Sequence, residues 1–191
     1  MKIGLFPGSF NPIHIGHLLI ATFMAEEFKL DKIWFLISPQ NPLKDPKTLA
    51  NEKERLKMVQ MAINCNSNFE ASDIEFNLPK PSYTIQTLDF LKQNYPNQEF
   101  ALIIGEDNLN ELPKWKDYNR IINENQLLVY NRTINSENNP SITHKNILFK
   151  KLPLLDISST MIRQRISMEK NIDFMVTNEV KKYLLDQKLY K

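Results

Sequence analysis

The stretch KIGLFPGSFNPIHIGH, residues 2–17, together with the apolar residues 18–21 that follow it, decides how this chain folds. Its apolar residues Ile3, Leu5 and Phe6 predict a short buried strand, which stops before Pro7 and Gly8. Asn11-Pro12 then predicts a turn toward a helix that begins near Ile15. A strand, a tight turn and a helix N-terminus therefore follow one another within about twenty residues.

A junction of this kind is suited to binding phosphate. The first N–H groups of a helix have no intrahelical partner and carry the positive end of its dipole. Gly8 has no side chain, so an anionic oxygen can approach the main chain closely. His14 and His17 are three residues apart, a spacing that places both on one face of a helix. The pair is predicted to point at one phosphate, where imidazolium would balance negative charge.

Other interpretations of the two histidines stay open at this point. A single His near a helix start is more often a cap or a surface residue than a catalytic group. A metal site is disfavoured because no third His, Cys or acidic ligand lies nearby in sequence, so no metal ligand is predicted in the protein. Two imidazoles after a Gly-Ser turn favour phosphate binding instead.

Composition narrows the class of protein. At 191 residues the chain is expected to form one domain, 1–191, that buries about 70% of its unfolded surface. The net charge of +2 gives no reason to expect a nucleic-acid partner. The single cysteine, Cys65, excludes an intramolecular disulfide, fits a cytoplasmic location and is expected at the end of a buried helix face. No apolar run approaches the roughly 18 residues that span a bilayer, so no membrane partner is expected.

Apolar runs of strand length alternate with helical patterns along the chain. Uninterrupted apolar strands are typical of a parallel sheet covered on both faces, so we expect an α/β fold, a Rossmann-like doubly wound parallel sheet with helices on both faces. A C-terminal helical part is expected from about residue 156 to residue 191, and residues 52–55 are expected to form a solvated first turn. Further strands are predicted at 32–38, 69–76, 99–104, 126–130 and 146–152, and a polar loop at 131–146. Helices are predicted at 15–28, 49–64 and 178–190, and a further one begins after Ser82 or Thr84 and reaches about residue 91.

Ligands of open α/β sheets bind beyond the carboxyl ends of the strands. Lys44 lies just beyond the strand at 32–38, where its charge would face the same crevice as the histidines; a solvated loop lysine is the alternative. Gly105 follows the strand at 99–104, and Asp107 after it either caps a turn or accepts a ribose hydroxyl.

Two features indicate where another part of a ligand would bind. Ser82 or Thr84 is placed to cap the helix that reaches about residue 91, and the N-terminus of that helix would suit an acidic group. Trp115 lies among prolines and lysines, a setting unusual for core packing, and predicts an aromatic platform for a flat ring.

The segment DISSTMIR, residues 156–163, predicts a second phosphate-binding helix start. Ser158 is placed at the N-cap, and Ser159 and Thr160 add hydroxyls in the first turn. Arg163 follows one turn later on the face of Thr160, and its planar fork of donors suits a phosphate. A plain capped helix is the alternative.

Four motifs carry a resemblance to known families, and together it runs over nearly the whole chain. GSFNPIHIGH resembles the HxGH signature of the nucleotidyltransferase superfamily, which includes class I aminoacyl-tRNA synthetases and so indicates a chemistry more than a substrate. ISSTMIR resembles the superfamily's phosphate-binding element, shared with pantetheine-phosphate adenylyltransferases. SYTIQTL and GEDNLNELPKWK resemble elements of the nicotinate-nucleotide adenylyltransferase family, in which a helix start and a tryptophan meet the nicotinate ring.

This resemblance implies a nucleotidyltransferase-type fold and adenylyl transfer from ATP to nicotinate mononucleotide, which forms nicotinate adenine dinucleotide and pyrophosphate in NAD biosynthesis. Mg²⁺ would be bound with the ATP phosphates, and a homo-oligomer stays open. The implied catalytic residues are His14, His17, Lys44 and Arg163. The implied ATP-binding residues are Gly8, Ser9, Phe10, His14, His17, Gly105, Asp107, Ser158, Ser159, Thr160 and Arg163. The implied nicotinate-nucleotide-binding residues are Asn11, Lys44, Ser82, Tyr83, Thr84 and Trp115.

Three positions depart from the family pattern. Ser9 stands where a second glycine is common, Asn11 where Asp is common, and Leu43 where His is common.

Several rival functions stay open. Pantetheine-phosphate adenylyl transfer would use the same two phosphate motifs but gives no reason for Trp115 or the SYT helix start. A cytidylyltransferase is a further rival, and a nucleotide sensor without activity is the alternative from another class. A tRNA synthetase is disfavoured by the short chain and the absence of a KMSKS-type signature.

Overall fold

The computed structural model describes residues 1–40, 49–131, 142–153 and 155–191. Within these residues six strands form one sheet in the order β3-β2-β1-β4-β5-β6, and every neighbouring pair is parallel. The strand order reverses between β1 and β4, because the chain moves outward from β1 to β3 and then returns to the other side of β1. The strands are β1 (Lys2–Gly8), β2 (Lys32–Ile37), β3 (Phe69–Ser72), β4 (Glu99–Gly105), β5 (Gln126–Tyr130) and β6 (Ile147–Lys150).

The four predicted helical patterns all form helices, with ends that differ from the expectation by a few residues. The helices are α1 (Ile15–Glu27), α2 (Glu52–Ile63), α3 (Thr84–Asn94), α4 (Glu106–Glu111), α5 (Tyr118–Glu124), α6 (Ser159–Ser167) and α7 (Asn178–Asp186). Three of these, α4, α5 and α6, are further α-helices, and the described residues also form two short 3₁₀ helices, Ile74–Asn77 and Leu112–Lys114.

The sheet has a hydrophobic core on each face, which confirms the predicted doubly wound architecture. Successive strand residues point to opposite faces. In β1, Leu5 joins the core that includes Ile85 of α3 and Ile121 of α5, whereas Phe6 joins the core that includes Met24 of α1 and Val180 of α7. Both faces of β1 are therefore buried, and its carboxyl end is the part left for a ligand.

β1 runs two residues further than the sequence predicted, through Pro7 and Gly8. Pairing with β2 continues to Gly8, whereas pairing with β4 ends at Leu5. Pro7 therefore lies where the sheet has ended on one side, and its missing N–H can be accommodated there.

Two side chains lie differently from the expectation. Cys65 is exposed, because α2 ends at Ile63 and the thiol follows in the turn beyond it. Arg55 is only 1% exposed, although residues 52–55 were expected to be solvated. It precedes Val59 by one turn, and this places it on the buried face of α2.

The polar loop expected at 131–146 lies mostly outside the described residues. Among the helices that the structure describes, none is both long enough and apolar enough to cross a bilayer.

Candidate active site

A cavity of about 770 Å³ opens at the carboxyl ends of β1 and β4, where the strand order reverses. This is the place where open α/β sheets bind ligands, and the volume lies within the range of small-molecule sites. The starts of α1, α3 and α6 all reach it. Of the predicted site residues that the structure describes, all but Asp107 line it: Gly8, Ser9, Phe10, Asn11, His14, His17, Ser82, Tyr83, Thr84, Gly105, Trp115, Ser158, Ser159, Thr160 and Arg163.

The two histidines stack at the start of α1. His14 is the N-cap residue, with an extended backbone, and His17 is the third residue of the helix. Their ring centroids lie 3.7 Å apart with 28° between the planes. The main-chain N–H of His14 donates to Nδ1 of His17 at 3.2 Å. Because Nδ1 accepts this bond, neutral His17 carries its proton on Nε2, where it can donate to a phosphate oxygen.

Phe10 supports this pair by packing against His17. Its buried ring lies edge-on to the His17 ring, with centroids 5.1 Å apart. A Cβ at Gly8 would come within 2.7 Å of the Phe10 ring, so glycine is required there for packing as well as for approach of a ligand. Phe10 itself has a φ of 45°, a strained backbone region for an aromatic residue, which persists only where the surrounding structure holds it.

The start of α6 is tied to the loop before α1. Ser158 caps the helix by accepting from the Met161 N–H at 3.2 Å, as predicted. The Ser159 hydroxyl donates to the Pro12 carbonyl oxygen at 2.8 Å. Arg163 donates to the carbonyl oxygen of Asn11 at 2.9 Å. The two helix starts that the sequence predicts to bind phosphate therefore lie side by side.

The third helix start, that of α3, also lines the cavity. This helix packs on the other face of the sheet from α1. Its N-cap residue is Tyr83, and no side chain caps it, so the expected capping by Ser82 or Thr84 is wrong. Trp115 follows the short helix Leu112–Lys114 and is partly buried. Lys116, which the sequence analysis missed, places Nζ 4.9 Å from the centroid of the Tyr83 ring. A positive charge therefore accompanies the α3 N-terminus and the indole.

A buried carboxyl group also lines the cavity and was missed. Glu75 is 4% exposed, and its carboxylate accepts from the hydroxyls of Ser38 and Thr87, each at 3.0 Å. Burial raises the pKa of Glu75, while the hydrogen bonds from these hydroxyls act in the opposite direction. The only sequence signal was its position between two apolar residues, Ile74 and Phe76.

Arg55 holds together the main-chain segments that carry the site. Its guanidinium donates to the carbonyl oxygens of Ser9 at 2.6 Å, Ser38 at 2.8 Å, Ala50 at 3.0 Å and Pro39 at 3.1 Å. One side chain of α2 thus links the loop after β1 to the end of β2. Burial lowers the pKa of Arg55.

Two predicted site residues are not placed in the cavity. Asp107 lies in the first turn of α4, and its Oδ1 would be 2.4 Å from a Cβ on Gly105. The carboxylate therefore lies over Gly105, while Asn108 lines the cavity. Lys44 lies in residues 41–48, outside the described part of the chain. Among the residues that the structure describes, no group of three or more His, Cys, Asp or Glu could hold a metal ion.

Comparison with known proteins gives a consistent result. The model of the cytidylyltransferase-like family matches residues 5–165. The chain is 49% identical over 190 residues to a Cytophaga hutchinsonii protein named "probable nicotinate-nucleotide adenylyltransferase", covering 100% of this chain and 98% of that protein. It is 47% identical to a Flavobacterium psychrophilum protein of the same name, covering 100% of both.

Solved structures share the fold. The nicotinic acid mononucleotide adenylyltransferase of Plasmodium falciparum, solved in complex with NaAD, is similar with a TM-score of 0.80 at 21% identity, covering 99% of this chain and 97% of that one. Its complex with APC gives a TM-score of 0.78 at 21% identity, covering 99% and 96%.

Proposed function

Because this chain belongs to the cytidylyltransferase-like family and, within it, to the nicotinate-nucleotide adenylyltransferases, we propose that it transfers the adenylyl group of ATP to nicotinate mononucleotide. The products are nicotinate adenine dinucleotide and pyrophosphate, a step of NAD biosynthesis. The observation that carries the proposal is one cavity onto which three helix starts open, two suited to phosphates and one flanked by an aromatic ring and a lysine.

The reaction is an in-line displacement at phosphorus. An oxygen of the 5′-phosphate of nicotinate mononucleotide bonds to the α-phosphorus of ATP, and the bond from this phosphorus to the bridging β-oxygen breaks. The electron pair of that bond leaves with pyrophosphate. Since the attacking phosphate is already a dianion near neutral pH, no strong general base and no covalent intermediate are required. Catalysis then consists of positioning and charge neutralisation.

The proposed phosphate ligands are the stacked histidines and Arg163. His17, with its proton on Nε2, and His14 would hold oxygens of the α- and β-phosphates. Arg163 makes two hydrogen bonds, to Asn11 and Thr160, and a guanidinium has five N–H donors. Its remaining N–H groups can donate to the oxygens of pyrophosphate, on which negative charge develops. Lys44 is proposed to assist there on the strength of the resemblance alone.

The residues that line the cavity are suited to ATP that is already bound to Mg²⁺. We propose that ATP enters as its Mg²⁺ complex, with the ion held chiefly by phosphate oxygens and water, because Mg²⁺ is commonly bound in this way. Bound there, the ion would neutralise phosphate charge. His14, His17 and Arg163 would orient the triphosphate through its oxygens. The protein would not need a cluster of carboxylates to bind the ion.

The nicotinate ring is proposed to bind at the start of α3. Trp115 would stack on the pyridine ring, and the N–H groups near Thr84 together with the Lys116 ammonium would receive the carboxylate. A neutral amide would gain less from the helix dipole and the lysine. We therefore expect the acid to be preferred over nicotinamide mononucleotide.

Pyrophosphate release with defined substrate pairs tests the proposal. We expect release when the chain is mixed with Mg²⁺, ATP and nicotinate mononucleotide, and little release when phosphopantetheine replaces nicotinate mononucleotide or CTP replaces ATP. Release only with phosphopantetheine or only with CTP would support one of the two rival transferases. Nucleotide binding with no release would indicate a sensor. The His17→Ala variant gives the background of the assay.

A further inference from the structure

Tyr190, which follows α7, reaches the loop between β1 and α1. Its hydroxyl donates to Oδ1 of Asn11 at 2.6 Å, across 179 positions of sequence. Its ring packs against the core beneath α1 and α2, and its φ is 65°. A bulky residue adopts this backbone conformation only where its surroundings hold it. The placement of Tyr190 is therefore imposed by tertiary contacts.

Asn11 is the point at which several parts of the site meet. It is 4% exposed and lines the cavity. Its Oδ1 accepts from the Ala50 N–H at 3.0 Å as well as from Tyr190, and its carbonyl oxygen accepts from Arg163 at 2.9 Å. Asn11 also lies three residues before His14. A shift of Asn11 would therefore move a guanidinium and an imidazole that are proposed to hold phosphates.

The direction of the Tyr190 hydrogen bond is fixed. Burial strongly raises the pKa of Tyr190, although the positive charges of Arg163 and Arg55 act the other way. The hydroxyl consequently stays protonated at working pH and acts as the donor. Two donors on Oδ1 also fix which way the Asn11 amide is turned.

We propose that Tyr190 is a positioning residue for the transfer reaction: its hydroxyl fixes Asn11, and Asn11 in turn fixes Arg163 and His14 on the ATP phosphates. This inference rests on the proposed function. Tyr190 is proposed to act on the phosphate end of the site, because its hydrogen bond reaches the loop between β1 and α1.

The first experiment replaces only the hydroxyl. Tyr190→Phe keeps the ring and its packing, and we expect kcat to fall about 5- to 20-fold, the range expected when one hydrogen bond to a reacting site is lost. The KM for nicotinate mononucleotide should stay within about twofold of the wild-type value. A thermal unfolding midpoint measured alongside shows whether the variant is folded at the assay temperature.

Tyr183→Phe is the matched control. Its hydroxyl donates to Glu54 at 2.7 Å, so the variant also loses one hydrogen bond from the same end of the chain, away from Asn11. We expect it to keep wild-type kcat. Equal losses in the two variants would assign Tyr190 a general structural role and overturn the proposal.

A double-mutant cycle with Asn11→Ala tests the route of the effect. If Tyr190 acts through Asn11, adding Tyr190→Phe to Asn11→Ala should lower kcat no further. Fully additive losses, or wild-type kcat in Tyr190→Phe, would overturn the inference. ATP affinity, measured by calorimetry in the same four proteins, is the second readout. If wild type releases no pyrophosphate, the proposed function fails, and the coupling between Tyr190 and Asn11 is still decided by ATP affinity.

Discussion

His17 is the single residue on which the proposed chemistry depends most directly. Its ring stacks on the ring of His14 and makes a T-shaped contact with Phe10, and its Nδ1 accepts a hydrogen bond from the His14 N–H. We expect His17→Ala to lower kcat about 10²- to 10³-fold, as does loss of one charge-stabilising donor in other enzymes. Steady-state pyrophosphate release measures this. His144→Ala is the control, since His144 is the chain's one other histidine and does not line the cavity. Near-normal turnover of His17→Ala would refute the role.

Lys116 is expected to set the preference for an acid. Its Nζ lies over the Tyr83 ring beside the α3 start, and within the part of the chain that the structure describes Lys116 forms no ion pair. We expect Lys116→Met to lower kcat/KM for nicotinate mononucleotide about 5- to 10-fold, with little change for nicotinamide mononucleotide, because only the acid carries a charge for the lysine to attract.

Lys114→Met is the matched control for this experiment. Lys114 also lines the cavity, but its charge is paired with Glu111 at 2.6 Å. We expect its variant to change the ratio of the two kcat/KM values by less than about twofold. A uniform decrease for both mononucleotides in Lys116→Met would show that the lysine has another role.

Glu75 should give the protein's stability a distinct dependence on pH. The pKa of its carboxyl group is raised by burial above 4.5, the ordinary value that applies in the unfolded chain. Between these two pKa values the folded state binds more protons than the unfolded state, so the free energy of unfolding falls as pH rises. Gln has no titrating carboxyl group, so Glu75→Gln does not show this loss of stability. We therefore expect the variant to gain stability relative to wild type as pH rises above 4.5.

Urea unfolding at intervals from about pH 4 to pH 8 measures this difference. Glu70→Gln, on the edge strand β3, corrects for the loss of one negative charge at an exposed position. A difference between wild type and Glu75→Gln that does not change with pH would contradict the expectation.

At the scale of elements, α2 is attached to the site through Arg55. Removal of its guanidinium would leave four carbonyl oxygens without this donor, those of Ser9 and Pro39 in a buried setting and those of Ser38 and Ala50 in a partly buried one. We expect Arg55→Met to lower the free energy of unfolding by about 3 kcal/mol or more, since each unsatisfied buried group costs about 1–3 kcal/mol. Urea denaturation measures it.

Lys57→Met is the control on the same helix, because Lys57 is exposed and its loss should cost less than about 0.5 kcal/mol. Arg55→Lys keeps the charge but lacks the planar fork, so we expect stability between those of wild type and Arg55→Met. Equal stability of Arg55→Met and wild type would mean that the four carbonyl groups find other donors.

At the scale of the whole molecule, the sequence predicted the sheet, the doubly wound layers and the family, and the fold and the similarities confirm these. It also predicted helix starts at α1 and α6, which the structure confirms, while their binding of phosphate stays a prediction. These features depend on local signals. Strand and helix periods extend over a few residues, and the motifs at 8–17 and 157–163 are continuous in sequence. The sequence also correctly placed the N-cap at Ser158 and the start of α1 at Ile15.

Tertiary structure alone decided the parts that depend on contact between distant residues. Arg55 looked solvated because a charged run usually is, and only packing of α2 over the loops after β1 and β2 gave its guanidinium four carbonyl partners. Tyr190 and Asn11 are 179 positions apart, and no pattern within a helix or strand links them. Local patterns thus determined which elements form and which motifs they carry, while burial of charge and long-range hydrogen bonds were decided by how those elements pack.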